Sequence, residues 1–482
     1  MEYAHWIFIV IYSVIALAAI IRVLMEHRQP AITMAWVMVL GFLPVVGIIL
    51  FFFFGQKTRK ERKIWQHTLN QLTKRSMLEF VEQKNLFIDE KYHTLIHLFM
   101  NQSLSLPFKN NEVEIYTHGS DFFLAMLREI GKAKEHIHID SFIFRDDALG
   151  YLIADALIDK AQEGVEVRIV YDDVGSWRTK NKFFTRMKRA GIEVYPFMPV
   201  RYPLLTSRVN YRNHRKIYVF DGKVGFIGGM NIAHRYIKGT KKQAWRDTQV
   251  RIEGTAVYGL QRAFFVDWFF VCHTLMTDHK YYPPIQINEN DTLVQIVTSN
   301  PTSQWPEMEQ GYVRILLDAK KYVYMETPYF LPTEPILFAM RTAAVSGVDV
   351  RLMIPFDTDT KVVEWASRSY VLDTVKAGVK VFFYKAGFNH SKLLVTDDCL
   401  ATIGSTNIDF RSFENNFESN AFFYNEAIAK QVKDIFLHDQ DQSSSIDDLL
   451  NHFRLPFFQR LWESVVRLLS PLRSEERRVG KE

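Results

Sequence analysis

The chain carries one pattern twice, so most of it must be built from two copies of one unit. His214-Arg215-Lys216 runs through four residues to Asp221, and seven further on comes Gly228-Gly229-Met230-Asn231. His390-Ser391-Lys392 runs through four residues to Asp397, and seven further on comes Gly404-Ser405-Thr406-Asn407. Each element of the second copy lies 176 residues after its partner. A single His-x-Lys-x4-Asp is a weak signal, but two that share the downstream Gly and Asn positions are not.

The flanking sequence repeats in the same order. Ala133 to Asp140 resembles Ala319 to Glu326, Gly164 to Ile169 resembles Gly347 to Leu352, and Ala190 to Val194 resembles Ala377 to Val381. The last two pairs read as a helix end, a tight glycine turn and a β-branched strand. Apolar strand-like runs alternate with amphipathic stretches, which predicts an α/β fold. The expected units are 111–285 and 292–440, preceded by a largely helical connector over 57–110. Asp441 to Ser445 reads as a linker. The stretch beyond it, with Phe453, Phe457, Leu461, Trp462 and Leu468, is amphipathic and expected to pack on the second unit rather than on the membrane. Residues 474–482 are polar.

Two apolar runs come first. Trp6 to Ile21 is extended past Arg22 by Val23 to Met25, and Ala31 to Phe54 contains no charge. Each is long enough to cross a hydrocarbon core of about 30 Å as a helix. The short connection Glu26 to Pro30 predicts a hairpin anchor over residues 1–56, with helices at about 4–25 and 31–54. A cleaved signal peptide is disfavoured, because basic residues are missing ahead of the first run and no small-residue cleavage site follows. Lys57, Arg59, Lys60, Arg62 and Lys63 follow the second run, so positive-inside bias puts that flank, and the catalytic units, in the cytoplasm. Arg22 and Arg28 pull the other way.

The 482 residues exceed one ordinary core, and the net charge of +5 fits an anionic substrate or surface without demanding either. Two cysteines far apart, Cys272 and Cys399, exclude a disulfide framework and fit a reducing compartment.

In each copy His and Lys stand two apart, so on a strand they share a face. Displacement at a phosphodiester needs a nucleophile, positive charge on the non-bridging oxygens and an acid for the leaving alkoxide. One histidine can attack phosphorus while the other protonates the leaving group and then deprotonates the acceptor. Lys216 and Lys392 can hold the phosphoryl oxygens, with Asn231 and Asn407 as neutral donors. A lysine beside each histidine would repel a cation, so no metal and no cofactor are expected. Asp221 and Asp397 either serve the chemistry or orient the strand. A nucleophilic histidine works better with an acceptor on its other nitrogen. Glu418, 28 residues after His390, and Asp247, 33 after His214, are the candidates.

The two copies resemble the HKD motifs of the phospholipase D superfamily. Together with the hairpin, Pro44 to Gly47, Phe54-Gly55, Glu326 to Phe330 and Asn407 to Ser412, they are similar to bacterial cardiolipin synthases from about residue 4 to 472. Gly229 departs from the serine of many HKD copies, which Ser405 keeps. The resemblance implies two α/β/α sandwich units in a pseudo-twofold arrangement with one site between them. It implies that two phosphatidylglycerols give cardiolipin and glycerol, with membrane lipid as partner and no nucleotide. It also implies His214 as nucleophile and His390 as acid/base, although sequence symmetry leaves that order open. A membrane-attached hydrolase would use the same residues. An HKD nuclease is disfavoured by the anchor and by the lack of a stacking-rich basic groove, so no nucleic-acid partner is expected. A lipid-binding scaffold with a dead site is disfavoured because all six motif residues are intact.

Overall fold

A computed structural model describes residues 2–25, 30–43, 45–51, 88–200, 210–241, 243–285, 292–303, 305–358 and 361–449. The chain divides into an N-terminal unit and a large body that holds both copies of the motif.

The body contains two main sheets of the same order. The first runs Asn111–Tyr116, Gln249–Gly254, Val224–Gly228, Lys216–Phe220, His136–Ser141, Glu166–Asp172, Glu193–Phe197. The second repeats it with Leu293–Ser299, Asn416–Tyr424, Leu400–Gly404, Leu393–Thr396, Tyr322–Glu326, Asp349–Pro355 and Lys380–Tyr384. Helices follow the same sequence in each half, ending with Val257–Cys272 in the first and Glu426–Asp441 in the second. The two-residue period of a strand explains the layers. Ile217 and Val219 face a core shared with Leu393 and Val395, whereas Tyr218 and Phe220 face the helices outside. His214 and Lys216 fall in step with Tyr218, and His390 and Lys392 with Leu394.

The glycine turns read from sequence are present. Gly164, Gly191, Gly347 and Gly378 follow helix ends with φ between 91° and 96°, a region that costs a side chain but not glycine. Asp147 and Asn425 cap the helices that follow them, accepting from the amides of Gly150 and Ile428 at 3.0 Å.

Three expectations change. Ser443–Ser445, read as linker, pairs antiparallel with Lys380–Tyr384 as an edge strand, because a sheet edge leaves backbone groups for any short extended segment to satisfy. Pro107–Phe108, placed in the connector, pairs with Leu293–Ser299. The helical reading of the connector holds for Glu90–Ser103, while 52–87 and the amphipathic stretch beyond 449 lie outside the described residues.

The third change is in the N-terminal unit. Glu2–Met25 is a helix of 24 residues, but the second apolar run is broken into Pro30–Phe42 and Val46–Leu50. Its sequence has Pro44 at the break, which lacks an N–H and disfavours helix in the residue before it; Val45 takes φ 66°. Among the described residues no helix is long and apolar enough to cross a membrane. The first two helices are tied by Tyr12, whose hydroxyl donates to the Leu40 carbonyl at 2.8 Å.

Candidate active site at the seam of the two halves

Each histidine follows a two-residue strand that pairs with the opposite half. Arg212–Asn213 runs parallel to Asn416–Phe417, and Phe388–Asn389 runs parallel to Trp245–Arg246. The amide of His214 donates to the Phe417 carbonyl at 2.9 Å, and that of His390 to the Arg246 carbonyl at 2.7 Å. Both histidines are buried, as are both lysines.

The side chains cross the seam in the same way. His214 Nδ1 lies 2.9 and 3.1 Å from the carboxylate oxygens of Glu418. His390 Nδ1 lies 2.6 Å from Asp247 Oδ2. Both candidates named from the sequence fill the role, each serving the histidine of the opposite half. A carboxylate at Nδ1 fixes that nitrogen as donor and leaves the lone pair on Nε2, the tautomer a nucleophile or base needs. Burial raises both carboxyls, but charge outweighs it. Lys392 and His390 hold Asp247 below its ordinary range, and His214 and Lys216 do the same for Glu418.

Lys216 Nζ donates to the His214 carbonyl at 2.7 Å, and Lys392 Nζ lies 2.8 Å from the His390 ring. Ser405 donates its hydroxyl to Glu418. At the matching Gly229, a Cβ would stand 2.0 Å from Asp247 Oδ1, which accounts for the missing side chain.

The asparagine before each histidine pins the local turn. Asn213 Oδ1 accepts the Arg215 amide at 3.1 Å and its Nδ2 donates to Asp140 at 2.9 Å. Asn389 Oδ1 accepts the Ser391 amide at 3.0 Å and its Nδ2 donates to Glu326 at 3.0 Å. Burial and Asp267 push Asp140 well up, and burial and Asp439 push Glu326 up to about 8. Arg215 pairs with Asp267 at 2.5 Å, and Arg246 reaches across the seam to Asp439 at 2.6 Å. Sequence reasoning missed this support and the aromatic walls around the rings. Phe142 lies 5.0 Å from the His214 ring, and Trp245 lies 5.5 Å from the His390 ring.

Four expected participants stand elsewhere or are occupied. Asp221 and Asp397 sit past the far ends of the strands that follow the lysines, in hairpin turns with φ 51° and 52°. Asp221 accepts the amides of Lys134, Glu135 and His136 at 2.8 to 2.9 Å, and Asp397 those of Lys320, Lys321 and Tyr322 at 2.7 to 2.9 Å. Aspartate tolerates the left-handed region and gathers backbone donors, so both fasten the sheet rather than face the histidines. Asn231 accepts from the Ile143 amide at 3.0 Å and donates to the Tyr236 hydroxyl at 2.8 Å, which commits its amide to the protein. Asn407 is buried near Asp409, its Nδ2 3.5 Å from that carboxylate. Among the described residues no group of three or more His, Cys, Asp or Glu side chains is placed to hold a metal ion.

The family model for the cardiolipin synthase, phospholipase D-like domain matches residues 126–265 and 312–440, one match on each half. A cardiolipin synthase of Listeria monocytogenes is 39% identical over 471 residues, 94% of this chain and 96% of that protein. The chain belongs to the cardiolipin synthase family. The major cardiolipin synthase ClsA of Bacillus subtilis is likewise 39% identical over 468 residues, 95% of this chain and 96% of its own length. A phospholipase D-nuclease N-terminal model matches residues 14–56. The fold is shared with the crystal structure of phosphatidylserine synthase from Haemophilus influenzae. Its TM-score is 0.61 at 15% identity, over 79% of this chain and all of that one.

Proposed function

We propose that this cardiolipin synthase family member passes a phosphatidyl group from one phosphatidylglycerol to another through a phosphohistidine. The observation that carries the reading is the pair of buried histidines at the seam, each with a lysine beside it and a carboxylate from the opposite half at Nδ1. His214 Nε2 attacks phosphorus; a P–N bond forms, the P–O bond to glycerol breaks, and glycerol takes a proton from His390. A hydroxyl of the second phosphatidylglycerol then gives its proton to His390 and attacks phosphorus. The new P–O bond closes cardiolipin and the P–N bond breaks. Lys216 and Lys392 supply the positive charge the phosphoryl oxygens need. One phosphodiester replaces another, so no nucleotide is consumed.

The N-terminal helices are the membrane anchor in this reading. Trp6, Ile7, Val10, Ile11, Val14, Leu17, Met25, Met34, Met38 and Phe42 all stand exposed, a surface that water penalises and lipid does not. With the basic run 57–63 inside, the catalytic body lies in the cytoplasm. In a background without native cysteines, Arg28→Cys should label from outside and Lys60→Cys should not; the reverse overturns this orientation.

Purified protein in phosphatidylglycerol vesicles with chelator should release glycerol and form cardiolipin, and added glycerol should reverse the reaction. Phosphatidic acid as the main product would replace this reading with a hydrolase.

A further inference from the structure

Three arginines gather on the first half, two on loops and the third opening the short helix Arg235–Lys238, which approaches His390 through Trp245. These segments are fastened to one another. The Arg145 amide donates to the Ile232 carbonyl at 3.0 Å, and the Ile232 amide to the Ile143 carbonyl at 3.1 Å. Thr179 donates its hydroxyl to the Phe144 carbonyl at 2.6 Å, and Ser176 accepts the Phe144 amide at 3.0 Å. Arg145, Arg178 and Arg235 are thereby held in one neighbourhood. Each of the other two guanidinium charges, added to burial, lowers the pKa of Arg145. Arg235 lies 4.7 Å over the Trp245 ring, the ring that lies 5.5 Å from His390. Among the described residues neither Arg145 nor Arg178 forms an ion pair. Asp146 and Asp147 adjoin the cluster, but Asp146 accepts the Lys180 amide and Asp147 accepts those of Gly150 and His234.

The cluster is not part of the duplicated machinery. Phe144 bridges Ile232 as Phe330 pairs with Ile408, so the counterpart of Arg145 is Leu331, which is buried. Asp146 and Asp147 act on Arg145 against the other two guanidinium charges, and an anion joining the cluster would relieve the repulsion that remains. Exposed Trp177 adjoins Arg178 and exposed Ile237 shares the short helix of Arg235, as suits a site at a lipid surface.

We propose that Arg145, Arg178 and Arg235 bind the phosphodiester that does not react, the one belonging to the acceptor phosphatidylglycerol. This rests on the transfer reading above and deepens it. The acceptor hydroxyl must reach His390 to lose its proton, and its own phosphate lies one glycerol unit away. The histidine lysines are occupied by the reacting phosphate. A guanidinium cluster beside His390 is then where the second anion belongs, and the donor has none to place there.

The full chain in phosphatidylglycerol vesicles should be offered two isotope-labelled soluble acceptors, glycerol and glycerophosphoglycerol, which differ by a phosphodiester, and the label followed into lipid. The parent protein should prefer the phosphate-bearing acceptor, and millimolar inorganic phosphate should erode that preference. Arg145→Gln with Arg178→Gln should lower the ratio of the two products by about 10-fold or more, since each charged contact contributes severalfold. Arg178 is exposed, so Arg178→Gln alone keeps the fold and should still lower the ratio about 3-fold. Arg145→Lys should restore part of it. An unchanged ratio with both products falling together overturns the proposal, as does a parent protein indifferent to the phosphodiester. A parent that only hydrolyses would instead remove the transfer reading itself.

Discussion

The strands that carry His214 and His390 occupy the same place in two sheets of the same order, yet their surroundings differ. His214 receives a glutamate that a serine hydroxyl supports; His390 receives a shorter aspartate packed against Gly229. Arg215 neutralises Asp267 within its own half, whereas Arg246 lends its charge across the seam to Asp439. In the second half, tyrosines Tyr322 and Tyr324 stand where the first half has His136 and His138, 186 residues earlier. The common part is backbone: sheet order, glycine turns, aspartate-pinned hairpins and the paired strands before each histidine. Duplication supplied the core geometry twice, and around the histidines the two halves differ in their side chains.

The sharpest way to separate the halves is to remove each histidine. His214→Ala and His390→Ala should each lower cardiolipin formation by about 10³-fold or more, because each role is indispensable. A donor whose leaving group needs no proton should still leave a phosphatidyl adduct on His390→Ala protein. Mass spectrometry finding the adduct only in His214→Ala would exchange the two roles.

The crossing itself is the next target. Glu418→Gln and Asp247→Asn should each cost about 10- to 100-fold, the loss of one charged hydrogen bond. Double-mutant cycles should couple His214 with Glu418 and His390 with Asp247, and show near-additivity for the same-half pairs. Coupling within halves would break the comparison.

Acid should find the halves unequal. Burial lowers His136 to about 4 and His138 well below its ordinary value. A lowered folded-state pKa gives stability that is present above the unfolded value near 6.5 and is lost as pH falls towards 4. Between pH 7 and pH 5, His136 alone should cost about 2 kcal/mol. Amide exchange should loosen His136–Ser141 before Tyr322–Glu326, and equal loosening would refute the assignment.

The smallest effect should come from the residue facing each carboxylate. Gly229→Ser should cost about 10-fold in rate by pushing Asp247 off His390, since there is no room for the added atoms. Ser405→Gly should cost only severalfold, one hydroxyl bond to Glu418. A larger loss from Ser405→Gly would reverse the ranking.

Much of this was legible without coordinates where a local rule governs. Two-residue spacing put His and Lys on one face, and Gly164, Gly191, Gly347 and Gly378 marked turns that only their φ values allow cheaply. Which histidine each carboxylate serves was not legible, because intervals of 33 and 28 residues return a chain to its own sheet as readily as they place it beside the other. Asp221 and Asp397 stayed open for a different reason: the residue type that serves catalysis also serves a left-handed turn with three backbone donors. The arginine cluster left no linear trace, since its members come from loops far apart in sequence.

The dependence of His214 on Glu418 has a consequence in time. Translation delivers His214 before Glu418, which lies 204 residues later. Until then the nascent chain holds a histidine without its carboxylate and a strand, Arg212–Asn213, without its neighbour. Under the proposed mechanism such a chain forms the phosphohistidine poorly, so chemistry at His214 waits until the acceptor half has been made.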